Sequence, residues 1–321
     1  MGSTIATLLV LEGAMRLLPA PLEVNNPYLY TVFAGRLDPK FPSYREVYPL
    51  RFDARGYYAI TEGAIDFHFD QLGGRWIEPA IRDLDAHTTI ALGDSFTLGA
   101  GLRYEDTYIY RTERLLDGHP RFVNLARPGA DATTCLEVYR DHAGAIAHEH
   151  VLYGLNLNDL IRFVTSSIAT SSPAPSVWGD LAARSRLAGF VFARAARARD
   201  RARKIRELAS PAMLRTLYFQ RNLAAVRALD DESRRHGACL VVAILPILVD
   251  VKRETFAPTY AAIKDQVEAC GIRVVELTRA VPALPDPDLW IMPFDQHPNE
   301  VAHAGFARAL ASQWSRELPD R

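Results

Sequence analysis

The sequence predicts an α/β protein built on a doubly wound parallel sheet, and three observations carry that prediction. Five short β-rich apolar runs follow one another after His87, at 88–92, 121–125, 151–155, 239–245 and 272–277. Helical stretches separate them, which is the crossover that parallel strands need. Each run is continuously apolar instead of alternating, so both faces of the sheet must be covered. Polar loops that leave the carboxyl ends of such strands are where ligands belong.

The chain has 321 residues, 49% of them apolar, with 37 Lys plus Arg against 38 Asp plus Glu. That is enough apolar material for a full core, as one large α/β domain with an added segment or as two domains. Collagen, coiled coil and bulk disorder are excluded. A net charge of −1 gives no global drive toward nucleic acid, and no nucleic-acid partner is expected. Cys135, Cys239 and Cys270 are too few and odd in number for a disulfide framework, which leaves the redox compartment open.

Residues 1–86 precede the first of the five runs and read as an N-terminal apolar helix followed by an irregular, partly β layer. The apolar stretch at 4–18 is broken by Glu12 and is too short to span a bilayer, which takes about 20 apolar residues. Met1-Gly2-Ser3 carries no Lys or Arg, unlike the start of a signal peptide. Two readings stay open: an amphipathic helix packed on the domain, or the stub of a membrane anchor. The following segment is rich in Pro, Tyr and Phe, and the alternation at 64–70 suits a half-buried strand.

The main domain is then 87–321, interrupted by a helical insertion at 160–221. The gap between the third and fourth runs is longer than a crossover helix needs and holds a Ser/Pro-rich piece at 165–175. Its later part, 184–206, is Ala-rich and strongly basic. It reads as a solvated helix face, a patch for an anionic partner or membrane surface, or a lid over the strand ends. Trp178, Phe190 and Phe192 either pack this insertion or line a lid pocket.

Four polar blocks fall in the loops that matter. Gly93-Asp94-Ser95 directly follows the first run and precedes a helix-like stretch around 104–116. A serine there has its hydroxyl in the ligand crevice and its backbone N–H free to face a developing oxyanion. Asp295-Gln296-His297-Pro298-Asn299 precedes a periodic helix at about 301–314. Serine is a poor nucleophile until a neutral imidazole takes its proton, and the imidazole needs a carboxylate to fix its tautomer. The other blocks are Asn124 to Ala130, containing Gly129, and Gly154 to Asp159, containing Asn156 and Asn158. Glycine lets a backbone N–H approach substrate, and an asparagine amide is a neutral donor to an alkoxide. Each block alone is an ordinary turn; four at one sheet edge are not explained that way.

In this order the four blocks resemble the SGNH hydrolase superfamily, the GDSL esterases and lipases, from about residue 88 to the C-terminus. The resemblance implies a flavodoxin-like three-layer α/β/α sandwich with a five-stranded parallel sheet, and no cofactor or metal. It makes Ser95 the nucleophile, His297 the general base and Asp295 its orienting acid. The oxyanion hole would be the Ser95 and Gly129 N–H groups with the Asn158 side chain. Two spacings depart from the family pattern: one residue, not two, separates Asp295 from His297, and three residues, not one, separate Gly154 from Asn158. The shorter spacing would point to Asn156; the Asn-Asp pair points to Asn158. Arg127, beside the glycine block, is a surface arginine or meets an anionic substrate group.

The expected activity is that of a serine esterase or deacetylase working through a Ser95 acyl-enzyme on a small-molecule or carbohydrate ester. It should rise with pH as His297 loses its proton, at about pH 6.5–7 for an unperturbed imidazole. An O-acyltransferase using the same intermediate, and a binding module on this fold, are the alternatives. Branches similar to this one, with an N-terminal apolar stretch and Asp-x-His-Pro-Asn, act around bacterial envelope polysaccharide. That leaves the compartment open between the envelope, with an anchor trimmed away, and the cytoplasm. Membrane contact through the N-terminal apolar segment or the basic stretch 184–206 stays open with it.

Overall fold

A computed structural model describes residues 7, 10–14, 44–48, 51–52, 58–59, 63–70, 72–77, 84, 87–160, 185, 187, 199, 205–292 and 295–317. Trp178, Phe190, Phe192, the Ser/Pro-rich piece and most of the basic stretch 184–206 lie outside the described residues. The chain divides into two compact units, one of Met1–Pro27 with Phe163–Ala209, the other of Tyr28–Arg162 with Ser210–Arg321. In the first unit, the Glu12 carboxylate accepts from Ser185 Oγ at 2.8 Å and from the Leu187 N–H at 2.9 Å. The residue that breaks the apolar run thus joins the two segments of this unit.

The second unit contains the sheet. Its strands are β1 (Tyr44–Tyr48), β4 (Gly63–Phe69), β5 (Arg75–Trp76), β6 (Thr88–Gly93), β7 (Arg121–Asn124), β8 (His150–Asn156), β9 (Cys239–Leu245) and β10 (Arg273–Glu276). Separate two-stranded pairs are β2 (Arg51–Phe52) with β3 (Tyr58–Ala59), and β11 (Trp290–Met292) with β12 (Asp295–Pro298). The eight strands lie in the order β1-β4-β5-β7-β6-β8-β9-β10. The last five are parallel and match the five runs read from sequence; in chain order they stand 2-1-3-4-5, the doubly wound arrangement. Thr88 to Gly93 are all buried, as a strand covered on both faces must be.

The N-terminal part goes further than an irregular layer. β4 covers the alternating 64–70 segment, and β1, β4 and β5 continue the same sheet as antiparallel strands beyond β7. The join is a single pair, Arg75 opposite Asn124.

Among the described residues of this unit, the α-helices are α1 (Ser95–Leu98), α2 (Tyr108–Leu115), α3 (Ala132–His142), α4 (Leu217–Arg235), α5 (Ala257–Glu268) and α6 (Glu300–Glu317). Side chains cap most of their starts: Thr107 for α2, Asp131 for α3 and Thr216 for α4. α2 packs on α6, and α3 packs on α4. Right-handed crossovers put α2 on one face of the sheet and α3, α4 and α5 on the other, because the strand order reverses after β7. In doubly wound sheets ligands bind at the carboxyl ends of the strands that flank such a reversal, here β6 and β8.

Candidate active site

The geometry of Ser95 begins beneath it. β6 and β8 both end in glycine, and Gly93 and Gly154 are register partners. A Cβ on Gly93 would lie 2.3 Å from Thr97 Oγ1, and one on Gly154 only 2.1 Å from the same atom. The missing side chains let Thr97 lie across the strand ends, where its hydroxyl meets Tyr108 OH at 3.0 Å. Asp94, 1% exposed, then turns the chain into α1 by accepting the Phe96 N–H at 2.8 Å. Ser95 is the first residue of α1 and half-buried, so its N–H has no intrahelical acceptor.

The far end of α1 is held from the neighbouring strands. Asn124 Nδ2 donates to the Thr97 carbonyl at 2.9 Å. Arg75, 0% exposed, donates to the carbonyls of Leu98, Gly99 and Leu102, at 2.7 Å for Gly99. Its guanidinium also lies over the Tyr104 ring, 5.8 Å from the centroid.

His297 arrives from the β11–β12 hairpin. His297 Nε2 lies 2.8 Å from Ser95 Oγ, although the two residues are 202 apart in sequence. Phe96 flanks the imidazole, with ring centroids 5.6 Å apart. Two residues on, Asn299 fixes the hairpin exit: its Oδ1 accepts from the Val301 and Ala302 N–H groups, and its Nδ2 donates to the carbonyls of Asp288 and Trp290. Asp295 opens β12 opposite Met292, and its side chain is outside the described residues. A second histidine, His303, lies one turn into α6 and is fully buried, with Nδ1 accepting the Tyr108 N–H at 2.9 Å. Burial, then the positive charges of Arg111 and Arg75, push it down to about 3, so it stays neutral.

On the other side of Ser95, the turn after β7 carries Gly129 at φ +70°, and a Cβ there would meet nothing within 4 Å. Glycine serves the backbone conformation at this position, and the space beside it is open. The Arg127 N–H donates to the Gly93 carbonyl at 3.0 Å, which ties this turn to the end of β6. The Arg127 guanidinium is directed onto the carbonyls of Leu125, Ala126 and Gly73. Below the turn, Asp131 accepts from the Thr134 N–H and from Tyr218 OH, while Asn222 Oδ1 accepts the Ala132 N–H.

After β8, Asp159 accepts from the Asn156 N–H at 3.0 Å and from Tyr153 OH at 3.2 Å. Burial, with the Asp94 charge adding to it, holds its carboxyl well above the usual carboxylate range. Asp159 thereby folds back the 3-10 turn Leu157–Leu160 that carries Asn158, whose side chain is outside the described residues. Asn156 is fully buried as the last residue of β8. Cys135, also near this end, is 2% exposed, and burial pushes its thiol up, so it remains protonated.

Ser95, Gly129 and Asn158 therefore follow three parallel strands at one sheet edge, and His297 meets Ser95 there. Sequence reading missed Arg75, Asn222 and Tyr108, and it passed over Asn124 as a supporting residue. Nothing in the sequence marks Arg75 as buried, and its role depends on a strand pairing that bridges 49 positions. Among the described residues, no group of three or more His, Cys, Asp or Glu side chains could hold a metal ion. No helix among them is long and apolar enough to cross a membrane.

No family model and no curated protein matches the chain. Among solved structures, it is similar to the psychrotrophic esterase EstA from Pseudoalteromonas sp., at 14% identity and a TM-score of 0.44, covering 73% of this chain and 100% of the other. It is similar to the lipase/acylhydrolase from Enterococcus faecalis at 11% identity and a TM-score of 0.44, covering 73% and 98%. A member of the lipolytic protein G-D-S-L family from Veillonella parvula DSM 2008 is similar at 11% identity and a TM-score of 0.41, covering 71% and 98%. The chain resembles the SGNH hydrolases in the order of its four blocks and in its doubly wound parallel sheet.

Proposed function

We propose that the chain is a serine acyl hydrolase that cleaves a small-molecule or carbohydrate ester through a Ser95 acyl-enzyme. The observation that carries this reading is the 2.8 Å contact between His297 Nε2 and Ser95 Oγ at the carboxyl edge of a parallel sheet. Nε2 accepts the serine proton while Oγ attacks the ester carbonyl carbon, and the carbonyl electron pair moves onto oxygen. The Ser95 and Gly129 N–H groups and the Asn158 amide are the donors for that oxygen. Collapse expels the alcohol, which takes the proton from Nε2, and water repeats the sequence to release the acid. Asp295 is assigned to hold the imidazole with its proton on Nδ1, the tautomer that leaves Nε2 free to accept.

The test is to incubate wild-type protein and Ser95→Ala with nitrophenyl acetate and nitrophenyl octanoate, following product release and the intact mass of the protein together. Ser95-dependent turnover supports the hydrolase, and the ratio of the two esters begins to set the acyl length. A stable mass increase on Ser95 with little release would point to transfer of the acyl group to another hydroxyl. Silence on both esters in wild type would contradict the reading.

A further inference from the structure

We propose that Arg75 is a positioning residue for Ser95, so that the N-terminal antiparallel strands are part of the catalytic framework. The inference rests on the reading of Ser95 as nucleophile and adds a group from outside the four sequence blocks. α1 has four residues, too few to hold itself by its own hydrogen bonds. Its final carbonyls must find donors elsewhere. Register partners on two adjacent strands supply them in series: Asn124 of β7 takes the Thr97 carbonyl, and Arg75 of β5 takes those of Leu98 and Gly99, then Leu102 beyond.

The residue type fits that task. A guanidinium is a rigid fork that can serve several carbonyls at once, whereas an ammonium is a compact point donor. Its positive charge at the carbonyl end of α1 is favourable for the helix dipole. Arg75 is completely buried and is kept in place by pairing between β5 and β7 and by the Tyr104 ring, which Trp76 packs at 5.4 Å. Ser95 opens the four-residue turn whose other end Arg75 clamps. A rotation of the turn would carry Oγ away from His297 Nε2, and misplacement of about 1 Å can cost about 100-fold in rate.

The experiment uses the full chain as wild type, Arg75→Met, Arg75→Lys and Ser95→Ala. A fluorophosphonate probe reports the maximal labelling rate of Ser95 and the probe affinity separately, per folded molecule as counted by circular dichroism. Amide hydrogen exchange over residues 96–102 is measured in parallel. The expected result is a maximal rate lowered about 10- to 100-fold in Arg75→Met with probe affinity little changed, faster exchange at 96–102, and partial recovery of both in Arg75→Lys. Wild-type labelling per folded molecule and unchanged exchange in Arg75→Met would overturn the proposal. Should wild-type Ser95 take no label, the hydrolase reading fails, and exchange alone decides Arg75: unchanged protection at 96–102 overturns its role, while accelerated exchange upholds its hold on the turn.

Discussion

Gly93 and Gly154 face each other across β6 and β8 and give up their side-chain space to one atom, Thr97 Oγ1. A methyl group at Gly154 would stand 2.1 Å from that oxygen and 2.7 Å from Tyr108 OH. Gly154→Ala is therefore expected to destabilise the fold by about 1–3 kcal/mol through overpacking. Thr97→Ala in the same chain removes the nearest obstacle and should recover about 1 kcal/mol of that loss, a coupling readable from urea midpoints of the four members of the cycle. Additive losses would show that the two positions do not compete for this space.

Asp159 supplies a pH-dependent term with a definite sign. An unfolded aspartate ionises at about pH 3.9, and burial raises the folded value above that. Between the two values the folded chain binds more protons, so its stability falls as pH rises through that window and the cost remains above it. Asp159→Asn keeps an oxygen for the Asn156 N–H and Tyr153 OH but carries no such term. Its stability relative to wild type should increase between pH 4 and pH 7 in chemical denaturation; a constant difference would contradict the assignment.

The five parallel strands and the serine and histidine blocks were legible because each depends on local features: continuous apolar runs, and polar residues placed directly after them. Arg75 was not legible. Its meaning comes from the β5–β7 pairing, and a charged residue in a Pro- and aromatic-rich stretch carries no sign of full burial. Likewise, the sequence reads residues 19–87 as an irregular layer with a half-buried strand at 64–70, while the β5–β7 pairing that joins this layer to the main sheet has no local signal. His297 and His303 look alike in sequence; burial separates them, leaving His303 neutral against Tyr108 and His297 half-exposed at Ser95.

Asn299 joins the His297 loop to the helix that follows it. Asn299→Ala removes the acceptor for the Val301 and Ala302 N–H groups and the donor to Asp288 and Trp290. The expected cost is about 1–2 kcal/mol, as for other helix caps, seen as a lower melting temperature. Esterase activity of the remaining folded protein should fall as well, since the hairpin exit beside His297 loses its clamp. Full activity with lowered stability would separate the cap from the placement of His297.

Gly129 behaves differently from Gly154, because no atom lies within 4 Å of the position its Cβ would take. Gly129→Ala pays only for a left-handed backbone, about 1–2 kcal/mol. Alanine keeps the backbone N–H, so the rate should fall by less than the about 10²–10³-fold of a lost oxyanion donor, only as far as the strained backbone turns that N–H away. Comparing melting curves with ester turnover measures both; an unchanged melting temperature would contradict the left-handed cost at this turn.

The most direct measurement is the pre-steady-state release of nitrophenol from nitrophenyl acetate across pH 5–9, in wild type, Ser95→Ala, His297→Ala and the double variant. With His297 Nε2 2.8 Å from Ser95 Oγ, the wild-type rate should rise to a plateau as the imidazole deprotonates. Each single variant should lose at least about 10³-fold, and the double variant little more than either, as for residues that act as a unit. Acylation in His297→Ala at the wild-type rate and with the wild-type pH dependence would contradict the account.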